Sequence, residues 1–221
     1  MPSDDENELL AHPEFWDARY SNAPEGEGHA PTHEWFRTYQ DLELFFRKHL
    51  VEWRAPETNP RIVHLGSGDS TIPQDLAKLG YSNQLCVDFS QVVVEKMAKR
   101  DANTTGIEWR QLDARSMENS IDSGAVDVAF DKGTLDAMIH GSPWNPPDDV
   151  KDNTGKYIRE VFRILKDDGV FLYVTYRQPH FIRPLLNCEG TSWDIDMEVL
   201  GSGESSFAYH GFILRKASPS S

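Results

Sequence analysis

Cysteine is almost missing from this chain of 221 residues: only Cys86 and Cys188 are present. Two thiols cannot build a disulfide framework or a cysteine-rich zinc site. Cys86 lies in an apolar run and reads as a buried free thiol. The eight histidines are scattered without ligand spacing, so no metal is expected. Positive charge is scarce as well: 22 lysines and arginines stand against 36 acidic residues, a formal net charge of −14. Such a surface repels a phosphate backbone, which argues against a nucleic-acid partner. It suits a basic protein or peptide partner, or simply solubility. No apolar run approaches the roughly 20 residues needed to span a bilayer, so no membrane partner is expected. The opening, "MPSDDENELL", has no basic segment followed by an apolar one, as a secretion signal or transit peptide would. A reduced intracellular compartment follows as the expectation, with the cytosol first and the nucleus second.

What is present is an alternation. "PEFWDARY" (Pro13 to Tyr20) reads as a short helix with an aromatic face. A loop rich in Gly, Pro and Glu follows, up to His33. "EWFRTYQDLELFFRKHLVEW" then spaces Phe36, Tyr39, Leu42, Phe46 and Leu50 by threes and fours, an amphipathic helix with Thr32 as a plausible N-cap. After Pro60 the rhythm changes. Apolar strands "RIVHLG", "NQLCVDFS", "IEWRQLDA", "AVDVAFDKG" and "GVFLYVTY" are interleaved with helices over "TIPQDLAKLG", "SQVVVEKMAKRD" (capped by Ser90) and "TGKYIREVFRILKDDG". Strands alternating with helices imply a parallel sheet covered on both faces. Two last strand-like runs, "SWDIDMEVLG" and "SSFAYHGFILRKA", flank "GSGESS" and read as an antiparallel hairpin. The expected fold is α/β: a doubly wound, mostly parallel seven-stranded sheet with a C-terminal antiparallel hairpin and an N-terminal helical lid. Residues 13–216 form the expected single domain, 13–55 its lid segment, and 1–12 and 217–221 disordered tails.

Ligands of open α/β sheets sit beyond the carboxyl ends of the strands. There the sequence places "GSGDS" with Gly66 and Gly68, then Asp88 and Phe89, then Asp113, then Asp131 and Lys132. Glycines let backbone approach a ligand. Asp88 follows Gly68 at the separation at which an acid meets a ribose diol. Phe89 could pack on a base, and Asp113 could accept from an exocyclic amine. Each feature has a plainer reading: glycine turns are common, and aspartates often cap helices. An adenosine pocket explains the ordered set better. A dinucleotide would favour glycine at position 71, where Thr71 stands, and Asp69 would repel a pyrophosphate. S-adenosylmethionine carries an ammonium, a sulfonium and no phosphate, so the loop favours this methyl donor.

The segments "FWDARY", "EWF", "LGSGDS", "VDFSQVVVEKM", "DKGTLDAM" and "PHF" with a later "GSG" resemble the seven-strand methyltransferases that act on lysines of eukaryotic translation elongation factor 1A, in particular the group related to the endothelin-converting enzyme 2 locus. The similarity runs from about Phe15 to Lys216. It implies donor contacts at Trp16, Tyr20, Gly66, Asp88, Phe89, Asp113, Ala114 and Lys132. On spacing alone, Trp16 and Tyr20 read as a packed helix face and Lys132 as a solvated turn residue. The chain departs from the family in reading "GSGDS" for "GCGNS", in a longer segment between Tyr20 and Trp35, and in carrying His33 at a family tyrosine position. These changes bear on the acceptor more than on the chemistry.

The expected activity is S-adenosylmethionine-dependent methylation of a protein lysine, with elongation factor 1A as a possible partner. A small-molecule methyltransferase and a non-catalytic binding scaffold are the alternatives, since one fold hosts many functions. A lysine acceptor must lose its proton, and Asp131 is the expected carboxylate to orient it. Asp136 could instead cap or pair structurally. Tyr176, His180 and Phe181 would either pack or line the acceptor channel.

Overall fold

Seven strands form one sheet in the order β3-β2-β1-β4-β5-β7-β6. The strands are β1 (Ile62–Leu65), β2 (Gln84–Asp88), β3 (Ile107–Gln111), β4 (Val126–Lys132), β5 (Leu165–Thr175), β6 (Trp193–Leu200) and β7 (Tyr209–Lys216). The computed structural model describes residues 8–22, 34–201 and 208–217. β1 and β2 are buried along their whole length. That is why they read as unbroken apolar runs rather than alternating ones. β1 to β5 are mutually parallel, and β7 runs antiparallel to both β5 and β6. The C-terminal pair is thus a hairpin whose second strand lies inside it, between β5 and β6.

Helices are α1 (Pro13–Asn22), α2 (Tyr39–Phe46, continued by a π turn at Arg47–Val51), α3 (Ile72–Lys78), α4 (Gln91–Arg100), α5 (Thr134–Ala137), α6 (Asp148–Ile164) and α7 (Pro179–Leu186). α6 and α7 bury Tyr157, Ile158, Val161 and Ile182 against one face of the sheet. α2 and α3 bury Leu42, Phe46, Ile72 and Leu76 against the other. The chain winds outward from β1 to β3 and returns to β4, so the strand order reverses between β1 and β4. Leu65 pairs with Val87 on one side and Asp131 on the other, which brings the carboxyl ends of β1, β2 and β4 level. A crevice at that edge is the geometric consequence.

Several boundaries differ from the sequence reading. α2 starts at Tyr39, because Thr38 and Asp41 make a reciprocal capping box. Thr32, the expected cap, lies outside the described residues, as do His33 and most of the 21–33 loop and of "GSGESS". Phe36 is not on the helix; it sits at φ 62°, in the left-handed region, at a tight turn of the strap before it. α6 begins at Asp148, well before "TGKY". Thr154, the first residue of the expected helix, lies within α6; its hydroxyl donates to the Val150 carbonyl and it is buried. α7 has no counterpart in the sequence reading; Pro184 lies within it. Part of each expected tail is packed: the Leu10 carbonyl accepts from the Trp16 indole N–H at 2.8 Å, and Ala217 N–H donates to the Ser192 carbonyl. No helix among the described residues is long and apolar enough to cross a membrane.

Candidate active site

The turn after β1 is shaped by two glycines in the left-handed region, Gly66 at φ 56° and Gly68 at φ 53°. A β-carbon on Gly66 would lie 2.2 Å from the Thr134 hydroxyl. That hydroxyl is not free to move away, because it donates to the Leu65 carbonyl at 2.7 Å. A β-carbon on Gly68 would lie 2.8 Å from the Tyr20 hydroxyl. Asp88, at the end of β2, accepts from Gly68 N–H and Ser90 N–H, each at 3.0 Å. These bonds fix the carboxylate beside the turn. Burial nevertheless outweighs them and pushes Asp88 up to about 6.

Above this turn lies a cavity of about 820 Å³, in the size range of small-molecule sites. α1 forms its roof. Trp16 stacks on Tyr20 at 5.8 Å and meets Trp35 edge-on at 5.7 Å. α1 is tied down through Ser90, whose hydroxyl donates to Asp17, and Lys96, whose ammonium donates to the Tyr20 carbonyl. Tyr20 is buried, and burial together with Asp88 and Asp69 holds its phenol far above the ordinary range.

The strap at Glu34–Phe36 closes one flank. Glu34 accepts from Ser70 Oγ at 2.7 Å, Thr71 N–H at 2.9 Å, Thr71 Oγ1 at 3.2 Å and Lys132 Nζ at 2.6 Å. One carboxylate thereby joins the strap, the start of α3 and the end of β4. Burial favours neutral forms of both partners. Lys132 remains below its usual range despite Glu34, whereas for Glu34 the attraction of Lys132 prevails and lowers it. Phe36 lies under Tyr176 at 5.3 Å and against Gly133, where a β-carbon would meet its ring at 3.1 Å.

The opposite wall is polar. Asp136 is buried and lines the cavity, accepting from Tyr173 OH at 2.7 Å and Thr175 Oγ1 at 2.6 Å. Arg177 forms an ion pair with it at 3.5 Å. Burial pushes the Asp136 carboxyl up. Asp113 also lines the cavity, but Arg115 clamps both its oxygens, at 2.9 and 2.7 Å. Burial would raise Asp113, and the Arg115 bonds overcome it to hold the group low. Its carboxylate is therefore already engaged.

Of the residues expected from sequence, Trp16, Tyr20, Gly66, Gly68, Asp88, Phe89, Asp113, Ala114, Lys132 and Tyr176 all border this one cavity. Three do not. Asp131 is fully buried behind the wall, where Thr134 N–H, Leu135 N–H and Tyr157 OH occupy its oxygens at 2.8, 2.9 and 2.6 Å. It shapes the turn into α5 and is not among the residues that border the cavity. His180 and Phe181 lie outside the lining and pack against Trp144. Sequence reasoning missed Glu34, Thr134 and the part of Leu9 to Ala11 in the wall. Glu34 was legible only as part of "EWF", since a lone acid carries no signal of four converging donors. Among the described residues, no group of His, Cys, Asp and Glu is placed to hold a metal ion.

A glycine turn on β1 and acidic ends of neighbouring strands face one crevice, and an antiparallel strand lies second from the far edge of the sheet. Together they define a Rossmann-like fold of the class I methyltransferase type. A family model described as a methyltransferase domain matches residues 56–206. The chain is 32% identical over 205 residues to EEF1A lysine methyltransferase 4 of Mus musculus, spanning 92% of this chain and 74% of that protein. It is 27% identical over 187 residues to the eEF1A lysine and N-terminal methyltransferase of Danio rerio, spanning 82% of this chain and 25% of that longer protein. Among solved structures, a SAM-dependent methyltransferase of Leishmania major has the same fold, with a TM-score of 0.63, 14% identity, and 96% and 91% of the two chains covered. The chain belongs to the methyltransferase-domain family.

Proposed function

We propose that the protein transfers a methyl group from S-adenosylmethionine to a lysine side chain of a protein, with eEF1A as the candidate acceptor. The observation that carries the donor assignment is the glycine cradle bracketed by Asp88 and roofed by Trp16 and Tyr20. The residues present fit this donor. A β-carbon at Gly66 or Gly68 would fill the cradle, and the lining holds five carboxylates against three cationic side chains. That balance suits a ligand bearing ammonium and sulfonium charges. In this reading Asp88 accepts from the ribose hydroxyls, Phe89 and Ala114 border the base, and the aromatic roof excludes water. When bound, S-adenosylmethionine supplies an electrophilic methyl carbon on its sulfonium.

The acceptor assignment is supported by the relatives, two kinds of which carry eEF1A lysine methyltransferase in their names. The protein's own work is to orient the amine and take up the proton it loses. Asp136, not Asp131, is the cavity-wall carboxylate suited to that. Tyr173 and Thr175 fix its orientation, and each oxygen keeps a further acceptor site. The cytosol is the compartment we infer, on the acidic composition and two free cysteines.

The experiment is transfer of labelled methyl from S-adenosylmethionine to unmodified eEF1A, with the labelled residue located by mass spectrometry. Label on lysine supports the reading, and donor binding without polypeptide label would move it to small molecules. Failure to bind the donor or its demethylated product would leave a scaffold. Asp88 adds a pH signature. Accepting from hydroxyls needs the carboxylate, and the free enzyme protonates it near pH 6. Donor affinity should therefore weaken about tenfold from pH 7 to pH 5, with about one proton released on binding near pH 5. Calorimetry in two buffers of different ionisation enthalpy measures both, and a flat profile would remove Asp88 from the donor contact.

A further inference from the structure

Trp144 is 81% exposed, the most exposed large apolar side chain among the described residues. It is nevertheless held in place. Phe181 meets its ring edge-on at 4.8 Å and His180 lies at 6.0 Å. Its loop, "HGSPWNPPDD", contains three prolines, and a β-carbon on Gly141 would lie 3.0 Å from Pro147. His140 is bonded to Asp149 at 3.1 Å, pinning the loop to the start of α6. A rigid loop that displays an indole to water gains nothing for the fold, because the exposed ring keeps its hydration cost. The same loop reaches the cavity: Gly141 and Pro143 line it together with Tyr176.

We infer that Trp144, backed by His180 and Phe181, is a docking ledge for the basic polypeptide segment that carries the acceptor lysine. The inference rests on the protein-lysine reading given above. A lysine reaching into the cavity leaves its flanking backbone on the rim, and this loop is the part of the rim that offers a preformed aromatic surface. The charge fits the same occupant. Between Ile139 and Val150 there are two aspartates and no lysine or arginine. The Asp148 and Asp149 side chains are 102% and 60% exposed, although Asp148 also meets Lys151, the first residue beyond this stretch, at 3.4 Å. A lysine or arginine beside the acceptor can stack on the indole face while these carboxylates complement its charge. Because prolines have already fixed the loop, little conformational entropy is lost on docking.

The test is steady-state methylation of eEF1A by the wild type, Trp144→Ala, Trp144→Phe and Asp148→Asn/Asp149→Asn, with donor affinity of each measured by calorimetry. Trp144→Ala should raise KM for the protein about tenfold, with kcat and donor affinity within about twofold. The phenylalanine variant should recover most of that loss. The double asparagine variant should raise KM less, and mainly at low salt. An unchanged KM in Trp144→Ala, or a donor affinity that falls in parallel with it, overturns the ledge. A wild type that binds donor but labels no lysine overturns the protein-acceptor reading instead, and the ledge falls with it.

Discussion

Gly66→Ala is expected to abolish measurable donor binding and to lower stability by about 3 kcal/mol. Two costs add. An alanine at φ 56° pays about 1–2 kcal/mol for the left-handed conformation. The new methyl would also sit 2.2 Å from Thr134 Oγ1 and 2.6 Å from its Cγ2, and overpacking of this kind costs about 1–3 kcal/mol. Thr134 can yield only by breaking its bonds to the Leu65 and Gly66 carbonyls, or by displacing the turn that cradles the donor. Adding Thr134→Ala removes the two nearest atoms but leaves the Cβ at 2.9 Å. The double variant should therefore regain part of the donor affinity. Chemical denaturation and calorimetry on the single and double variants read this directly. Full donor affinity in Gly66→Ala would show that the turn does not need its glycine.

Asp131→Ala is the second large effect, and it falls on stability rather than chemistry. The substitution strands Thr134 N–H, Leu135 N–H and Tyr157 OH in the interior. At about 1–3 kcal/mol for each unsatisfied donor, less the relief of a buried charge, the loss should reach about 3–5 kcal/mol. Asp131→Asn should cost less but not nothing: whichever way its amide turns, the NH2 faces a backbone N–H. Burial pushes Asp131 up to about 7. Its folded proton affinity exceeds the unfolded value near 3.9. The contribution to stability is thus fully present below about pH 4 and lost as pH rises through 7. The asparagine variant should show a shallower fall in stability between pH 4 and 7. A wild-type denaturation midpoint in Asp131→Ala, or pH profiles of equal slope, would contradict this account. Donor affinity of the folded fraction separates it from a catalytic role.

The sheet and the glycine-turn side of the cavity were legible because their signals are local. "RIVHLG" and "NQLCVDFS" announce strands by unbroken apolar runs, and Gly66, Gly68 and Asp88 follow at fixed offsets from them. The strap at Glu34–Phe36 and the wall around Asp136 were not legible, because there the arrangement depends on which distant side chains meet. Asp131 and Asp136 look alike in "DKGTLDAM". Tyr157 draws one behind the wall, while Tyr173 and Thr175 hold the other on the cavity. Phe36 fits a helical spacing that extends past Thr38, and only the capping box with Asp41 ends it there. For His180 and Phe181, nearness to β5 leaves packing and channel lining both open, and α7 turns them to pack on Trp144.

The position of β7 governs the order in which the fold can be completed. β6 precedes β7 in the chain, yet among the described residues its only strand partner is β7. During synthesis β5 presents an open edge, and β6 has no ladder to join, until Tyr209–Lys216 has emerged. Loss of those eight residues would remove two strands from the sheet. It would also uncover Tyr173, which stacks on Phe212 and holds Asp136. A chain that has threaded all but its last strand is a nascent state with an exposed hydrophobic edge, open to mispairing. The cavity wall that carries Asp136 is therefore complete only once β7 has joined the sheet.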